Sequence, residues 1–137
     1  DVYCFLDGLV TRDDRFTFTY IGRCGYSLPN TRVIEPLYGK ALGKELGRYD
    51  VYVSGSRFDP GPNHILESLA CGLPTLAHID GGGAVEFVGK KQSYRTTDEL
   101  VSLITSCQPG LQSIDSLETK DWIFCMKNID KVLHGTK

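Results

Sequence analysis

Much of what marks a protein's class at a glance is missing from this sequence. No apolar run approaches the roughly 20 residues that a membrane-spanning helix needs, so nothing in the chain reads as a span. No signal peptide is visible, but the chain opens on Asp1 without a Met, which predicts a piece of a longer protein and leaves an upstream targeting segment open. The five cysteines (Cys4, Cys24, Cys71, Cys107, Cys125) lie far apart, and none forms a CxxC or other zinc-ligand spacing. His64, His78 and His134 add no metal-ligand pattern. The cysteines therefore read as free, buried thiols in a reducing compartment, which predicts a cytoplasmic protein with peripheral attachment to a membrane left open. No basic stripe with interleaved aromatics appears and the net charge is −2, which argues against nucleic acid as a partner. Internal repeats and low-complexity segments are absent too.

What remains is an ordinary globular balance, 41% apolar and 23% charged, over 137 residues, enough for one domain with a core. Strand and helix signals alternate along it. Val2 to Val10 carries apolar residues at helical spacing and reads as the end of a helix that begins before residue 1. Phe16 to Ile21 alternates and is β-rich. Gly22-Arg23-Cys24-Gly25 follows at the strand's C-terminal end, either a phosphate loop or a plain turn. Thr31 to Glu35 is a short strand that Pro36 stops. Leu37 to Tyr49 has a helical stripe weakened by Gly39, Gly43 and Gly47. Ser93-Tyr94 suggests a small strand, Thr96 to Thr105 a helix capped by Thr97, and Leu117 to Leu133 a long helix carrying Trp122. Strands alternating with helices imply a parallel sheet flanked by helices, a Rossmann-like α/β fold.

The chain is organised around residues 52–86. Tyr49 to Ser54 is β-branched and aromatic, a buried strand. In Phe58 to Asn63 two prolines and a glycine force a turn and give a rigid lead-in to a helix. Leu66, Leu69, Ala70 and Leu73 then fall at i, i+3, i+4 and i+7. Gly72 and Pro74 end that helix, and Thr75 to Ile79 is a second buried strand. Asp80-Gly81-Gly82-Gly83 is a loop free to take unusual dihedrals. Asp59 precedes the helix and Glu67 lies about one turn inside it. The two can reach different parts of one ligand bound at the helix N-terminus, where unpaired N–H groups and the positive dipole end suit a phosphate. Hydroxyl-binding carboxylates beside phosphate-binding amides describe a site for a nucleotide sugar.

The pattern Asp59-Pro60-Gly61-Pro62-Asn63-His64-Ile65-Leu66-Glu67, then Cys71-Gly72-Leu73-Pro74, then Gly81-Gly82-Gly83 and Glu86, resembles the donor-binding half of retaining glycosyltransferases. The likeness is to the family 4 type of GT-B architecture, in which two Rossmann-like domains face each other. Two departures stand out: Asp59 occupies a position usually held by Glu, and Gly61-Pro62 replaces the usual Phe-Gly order. The likeness covers about Phe16 to Thr105.

The resemblance implies that the chain, 1–137, is a single nucleotide-sugar (donor) binding domain. On this reading the domain's first strand, with its diphosphate-holding basic residues, lies upstream, and so does the N-terminal acceptor domain of the same protein. It implies a hexosyltransferase that uses a nucleoside-diphosphate sugar as donor and no metal or other cofactor, consistent with the lack of a DxD pair; the isolated chain is expected to be inactive. Catalysis is expected to rest on Asp59, at the donor sugar, and Glu67, at the ribose hydroxyls. Gly61, Asn63 and His64 are expected at the sugar and diphosphate, Arg23 at base or phosphate, and Ile34 and Pro36 as walls of the base. Gly81 to Gly83 reads as a tight turn and Glu86 as structural. Two other readings stay open, a sugar-nucleotide epimerase of the same architecture and a non-catalytic nucleotide-binding domain.

Overall fold

Five short strands and five helices follow one another in a computed structural model that describes residues 2–107. In chain order they are α1 (Val2–Leu9), β1 (Thr19–Ile21), β2 (Arg32–Ile34), α2 (Gly39–Leu46), β3 (Tyr52–Ser54), α3 (Asn63–Ala70), β4 (Thr75–His78), α4 (Gly83–Val88), β5 (Ser93–Tyr94) and α5 (Thr97–Ser106), with one 3₁₀ turn at Lys90–Gln92. The expected helix over Leu117 to Leu133, with Trp122, lies outside the described residues, as does Cys125.

All strand pairing is parallel, but the strands do not form the one sheet that the alternation predicts. β1 pairs with β2 (Thr19 opposite Arg32), while β3, β4 and β5 form a separate sheet in that order (Val53 opposite Leu76, Ala77 opposite Ser93). Hydrophobic periodicity identifies strands without saying which edges meet, and here β1 and β3 do not meet. The architecture is thus mixed α/β, two small parallel sheets flanked by helices, compatible with a Rossmann-like fold.

The three-stranded sheet carries the core on both faces. Val51, Val53 and Leu76 point to one side, where Leu6 of α1 and Leu100 of α5 cover them. Tyr52 and Ala77 point to the other, against Ile65 and Leu69 of α3 and Ala84 and Val88 of α4. This is the period-two alternation of a strand covered on both faces. The buried side of α3 is Ile65, Ser68 and Leu69, one position round from the expected stripe, and Ala70 is exposed. Ser68 is tolerated there because its hydroxyl donates to the Ile65 carbonyl (2.8 Å) and meets Thr75 Oγ1 at 2.9 Å, so the buried polar pair is satisfied. Gly72 follows the helix at φ +75°, the left-handed turn that suits glycine.

Two further expectations are corrected. The cap of α5 is Thr96, not Thr97: its hydroxyl accepts from Glu99 N–H, and the Glu99 carboxylate accepts from Thr96 N–H, a complete capping box. The cysteines at 4, 24, 71 and 107 are free, but they are not buried; Cys4 and Cys71 are exposed and the other two half-exposed.

Candidate ligand site at the C-terminal ends of the strands

The turn at Phe58 to Pro62 is held by its own backbone and by the glycine loop across from it. Phe58 N–H donates to the Asp80 carbonyl (2.8 Å), and Gly83 N–H donates to the Asp59 carbonyl (2.9 Å). Asp59 and Gly82 form an isolated parallel bridge. The contact is so close that a side chain at Gly82, φ +66°, would meet the Asp59 carbonyl oxygen at 2.6 Å. The glycine loop is therefore the seat on which the Asp59 turn rests. Phe58 adopts φ +57°, costly for a bulky residue, and its ring stands 81% exposed.

From that turn Pro62 leads into α3 as its N-cap, with no side chain capping the helix. Two of the first-turn N–H groups are taken up by the turn itself, Asn63 N–H by the Gly61 carbonyl (2.9 Å) and Ile65 N–H by the Pro62 carbonyl (3.0 Å), so the helix start presents chiefly its positive dipole end. Asn63 is the first helical residue and exposed. His64 turns back toward β3. Its Nε2 lies 3.0 Å from Ser54 Oγ, its Nδ1 3.9 Å from Asp59 Oδ2, and its ring leans on Tyr52. Ser54 Oγ also accepts from Ser56 N–H at 3.3 Å. The network is consistent when the serine proton goes to Nε2 and the imidazole carries its own proton on Nδ1, toward Asp59. Burial pushes the His64 pKa below its ordinary value, against the opposing pull of Asp59 and Glu67. The ring is neutral at pH 7.

Glu67 is exposed, one turn along α3. Its charge reaches Tyr52, whose hydroxyl pKa is driven up by burial first, then by the Tyr3 phenol, by Glu67 and by the Tyr20 phenol. Glu67 and His64 both line a cavity of about 790 Å³ between β1 and β3, and so do Pro36 and Gly22.

The expected site residues are therefore only partly gathered. His64, Glu67 and Pro36 share the cavity, and Asp59 stands beside His64. The Asp59 carboxylate is turned into its own loop, accepting the Gly61 N–H at 3.0 Å, so that amide is engaged within the turn. Ile34 is half-buried at the end of β2 and accepts the Gly22 N–H through its carbonyl (2.9 Å). Arg23 is exposed and does not line the cavity; its carbonyl is 3.5 Å from the Tyr20 hydroxyl.

Sequence reasoning left Ser54 a loop-edge candidate with no assigned role, whereas its hydroxyl fixes His64 from ten residues away. It also passed over the pairing of Arg57 Nη2 with His78 Nε2 (3.2 Å) beneath the loop. Neither has a local signal, since each joins a strand end to a different element. Among the described residues no group of three His, Cys, Asp or Glu side chains comes together as metal ligands, and no helix is long and apolar enough to cross a membrane. What the arrangement offers is the positive end of a helix that no side chain caps, with a carboxylate one turn along for hydroxyls. It stands at the C-terminal ends of parallel strands, where open α/β sheets bind ligands. Compared with known proteins, the chain matches no family model, no curated protein and no solved structure.

Proposed function

We propose that this chain is the nucleotide-sugar-binding domain of a retaining, metal-independent glycosyltransferase of GT-B architecture, completed by an acceptor-binding domain of the same protein. The observation that carries the reading is the placement of Glu67 and first-turn His64 of α3 on one cavity at the start of that helix. The start of α3 takes the diphosphate, where the positive end of the helix dipole favours negative charge. Glu67 accepts hydrogen bonds from the ribose hydroxyls, strong bonds because the acceptor is charged. Asp59 lies in the turn just N-terminal to α3, on the side from which the sugar would extend. Neutral His64, fixed by Ser54, stands 3.9 Å from that carboxylate and leaves its charge uncancelled. Catalysis on this reading is positioning plus electrostatic stabilisation: the α3 terminus steadies the departing diphosphate while Asp59 supports positive charge at the anomeric carbon.

The test is calorimetric titration of UDP, GDP, ADP and CMP into the chain and into Glu67→Ala. One diphosphate binds, and Glu67→Ala weakens it about tenfold or more, ~1.4 kcal/mol for a charge-assisted hydrogen bond. Equal affinity in the two proteins removes Glu67 from the site and the reading with it.

One observation favours a second reading, a nucleotide-binding domain that does no chemistry. The Asp59 carboxylate is occupied by the Gly61 N–H and faces His64 rather than the cavity. On that reading Asp59→Asn leaves nucleotide-sugar affinity unchanged while Glu67→Ala still loses it.

A further inference from the structure

Arg57 and Asp59 stand two residues apart, the same spacing as Asp13 and Arg15. At Asp13 and Arg15 the charges close on each other, Nη2 to Oδ2 at 2.6 Å. At Arg57 and Asp59 they do not. Asp59 turns toward α3, where its Oδ2 stands 3.9 Å from His64 Nδ1, and Arg57 reaches the end of β4 instead, its Nη2 3.2 Å from His78 Nε2. Among the described residues no carboxylate pairs with Arg57. Between the two charges lies Phe58, at φ +57°, with its N–H held by the Asp80 carbonyl. A bulky residue takes that conformation only at a cost, and strain of this kind collects at sites with a task. Here it keeps a guanidinium from the carboxylate with which it would otherwise pair.

The group that Arg57 meets is not an acceptor. The Asp80 N–H donates to His78 Nδ1 at 3.1 Å, so that nitrogen carries the lone pair and the ring's proton is on Nε2. The ring is fixed in this place. The His78 side chain is 8% exposed, the Tyr94 ring stands edge-on to it with centroids 5.5 Å apart, and Tyr94 Oη donates to the Ser54 carbonyl at 2.8 Å. The His78 Nε2–H and the Arg57 guanidinium therefore stand side by side as donors, and neither can accept from the other. Two donors so placed suit the two oxygens of one planar group, as in a carboxylate.

The charge of the place narrows the ligand. Arg57 brings one positive charge. The Asp80 carboxylate brings a negative one beside the ring's other nitrogen, Oδ2 3.6 Å from Nδ1. A singly charged group is matched there, and a doubly charged phosphate is not. We infer that Arg57 and His78 form a clip for the carboxylate of a small ligand, at the C-terminal end of β4. Neither residue lines the cavity that Glu67 lines, and the inference does not depend on what that cavity binds.

The test is NMR on the full chain with isotope-labelled histidine, first free and then titrated with acetate and, separately, with inorganic phosphate, at constant ionic strength. Long-range proton–nitrogen spectra locate the His78 proton. In the free chain it is on Nε2, and acetate shifts that nitrogen saturably, with a dissociation constant on the order of 10 mM. Arg57→Gln weakens acetate about fivefold or more, as loss of a charge-assisted bond should. The Leu76 and Ala77 amides keep their shifts in that variant and show the sheet intact. Glucuronate and N-acetylglycine then compare an acidic sugar with a peptide terminus as the source of the carboxylate. A preference for either names the source, and equal binding shows that the carboxylate alone is read. A proton on Nδ1 in the free chain overturns the inference, because Nε2 is then simply the acceptor of Arg57. So do phosphate binding tighter than acetate, a shift that does not saturate, and equal acetate affinity in Arg57→Gln.

Discussion

β4 and β1 are both short parallel strands, yet every residue of β4 is buried and no residue of β1 or β2 is. The difference is in what covers them. β4 lies between two strands and beneath helices on both faces, so Leu76 and Ala77 are at 1% and 0% exposure. The β1–β2 pair is held by local polar anchors instead. Asp7 of α1 accepts the Asn30 backbone N–H (2.9 Å), the Asn30 side-chain amide (3.0 Å) and the Thr31 hydroxyl (2.6 Å). Burial raises the pKa of that carboxylate, and the three bonds outweigh it and leave the group below its ordinary range. Tyr3 adds a ring cluster with Phe18, Tyr20 and Tyr26. One half of the molecule is built by hydrophobic burial and the other is pinned to it.

The sharpest way to break that comparison is a pair of truncations. Ile65 is fully buried between α3 and the three-stranded sheet, whereas Val33 in β2 is 49% exposed. Ile65→Ala costs about 2–5 kcal/mol of unfolding free energy, and Val33→Ala stays within about 0.5 kcal/mol. Urea denaturation of the two variants measures the contrast. Similar losses would mean that β2 is covered in solution by something the present arrangement does not contain.

A smaller effect is expected at the join between the Asp59 turn and the glycine loop. Gly82 combines φ +66° with a backbone oxygen only 2.6 Å from where a Cβ would stand. Gly82→Ala must both strain the backbone and push the Asp59 turn away, at about 1–3 kcal/mol. Gly72, at φ +75°, has open space around it, so Gly72→Ala carries the dihedral strain alone and costs less. If the two variants unfold at the same urea concentration, the Asp59–Gly82 contact contributes nothing and the turn is not seated on that loop.

The same contrast explains how much the sequence disclosed. The β3–α3–β4 unit was legible because its signals are local: β-branched strands, a proline lead-in, Gly72 and Pro74 behind the helix. The side of α3 that is buried was read one residue out, because Ile65 and Leu66 are both apolar and only the position of β4 decides between them. The cap of α5 was in fact decidable, since Thr96 has Glu99 three residues on and Thr97 has Leu100. The gap between the sheets was not, because pairing is a property of edges. The site divides in the same way. Glu67 and the helix start follow from spacing, whereas the Ser54–His64 bond and the Asp59–Gly82 bridge join residues 10 and 23 apart, with nothing in the intervening sequence to announce them.

The smallest expected effect tests whether the well-packed half extends to the first turn of α3. Burial lowers the pKa of His64, so between its ordinary value, about 6.5, and the lower folded value the unfolded chain binds the proton more readily than the folded one. The contribution of the neutral ring is therefore complete above about pH 6.5 and is lost as the pH falls through that window. The facing groups are Asp59 and Glu67, which oppose the shift, with uncharged Ser54 and Tyr52 on the β3 side. His64→Gln keeps a hydrogen-bonding side chain opposite Ser54 and removes the titration. The difference in urea midpoint between the native chain and His64→Gln should narrow from pH 7.5 to pH 5.5, while titrations shared by both proteins cancel. A difference that holds constant over that range would mean that the ring is solvated and that packing stops at β3; one that widens on acidification would mean that Asp59 and Glu67 hold a charged imidazolium against burial.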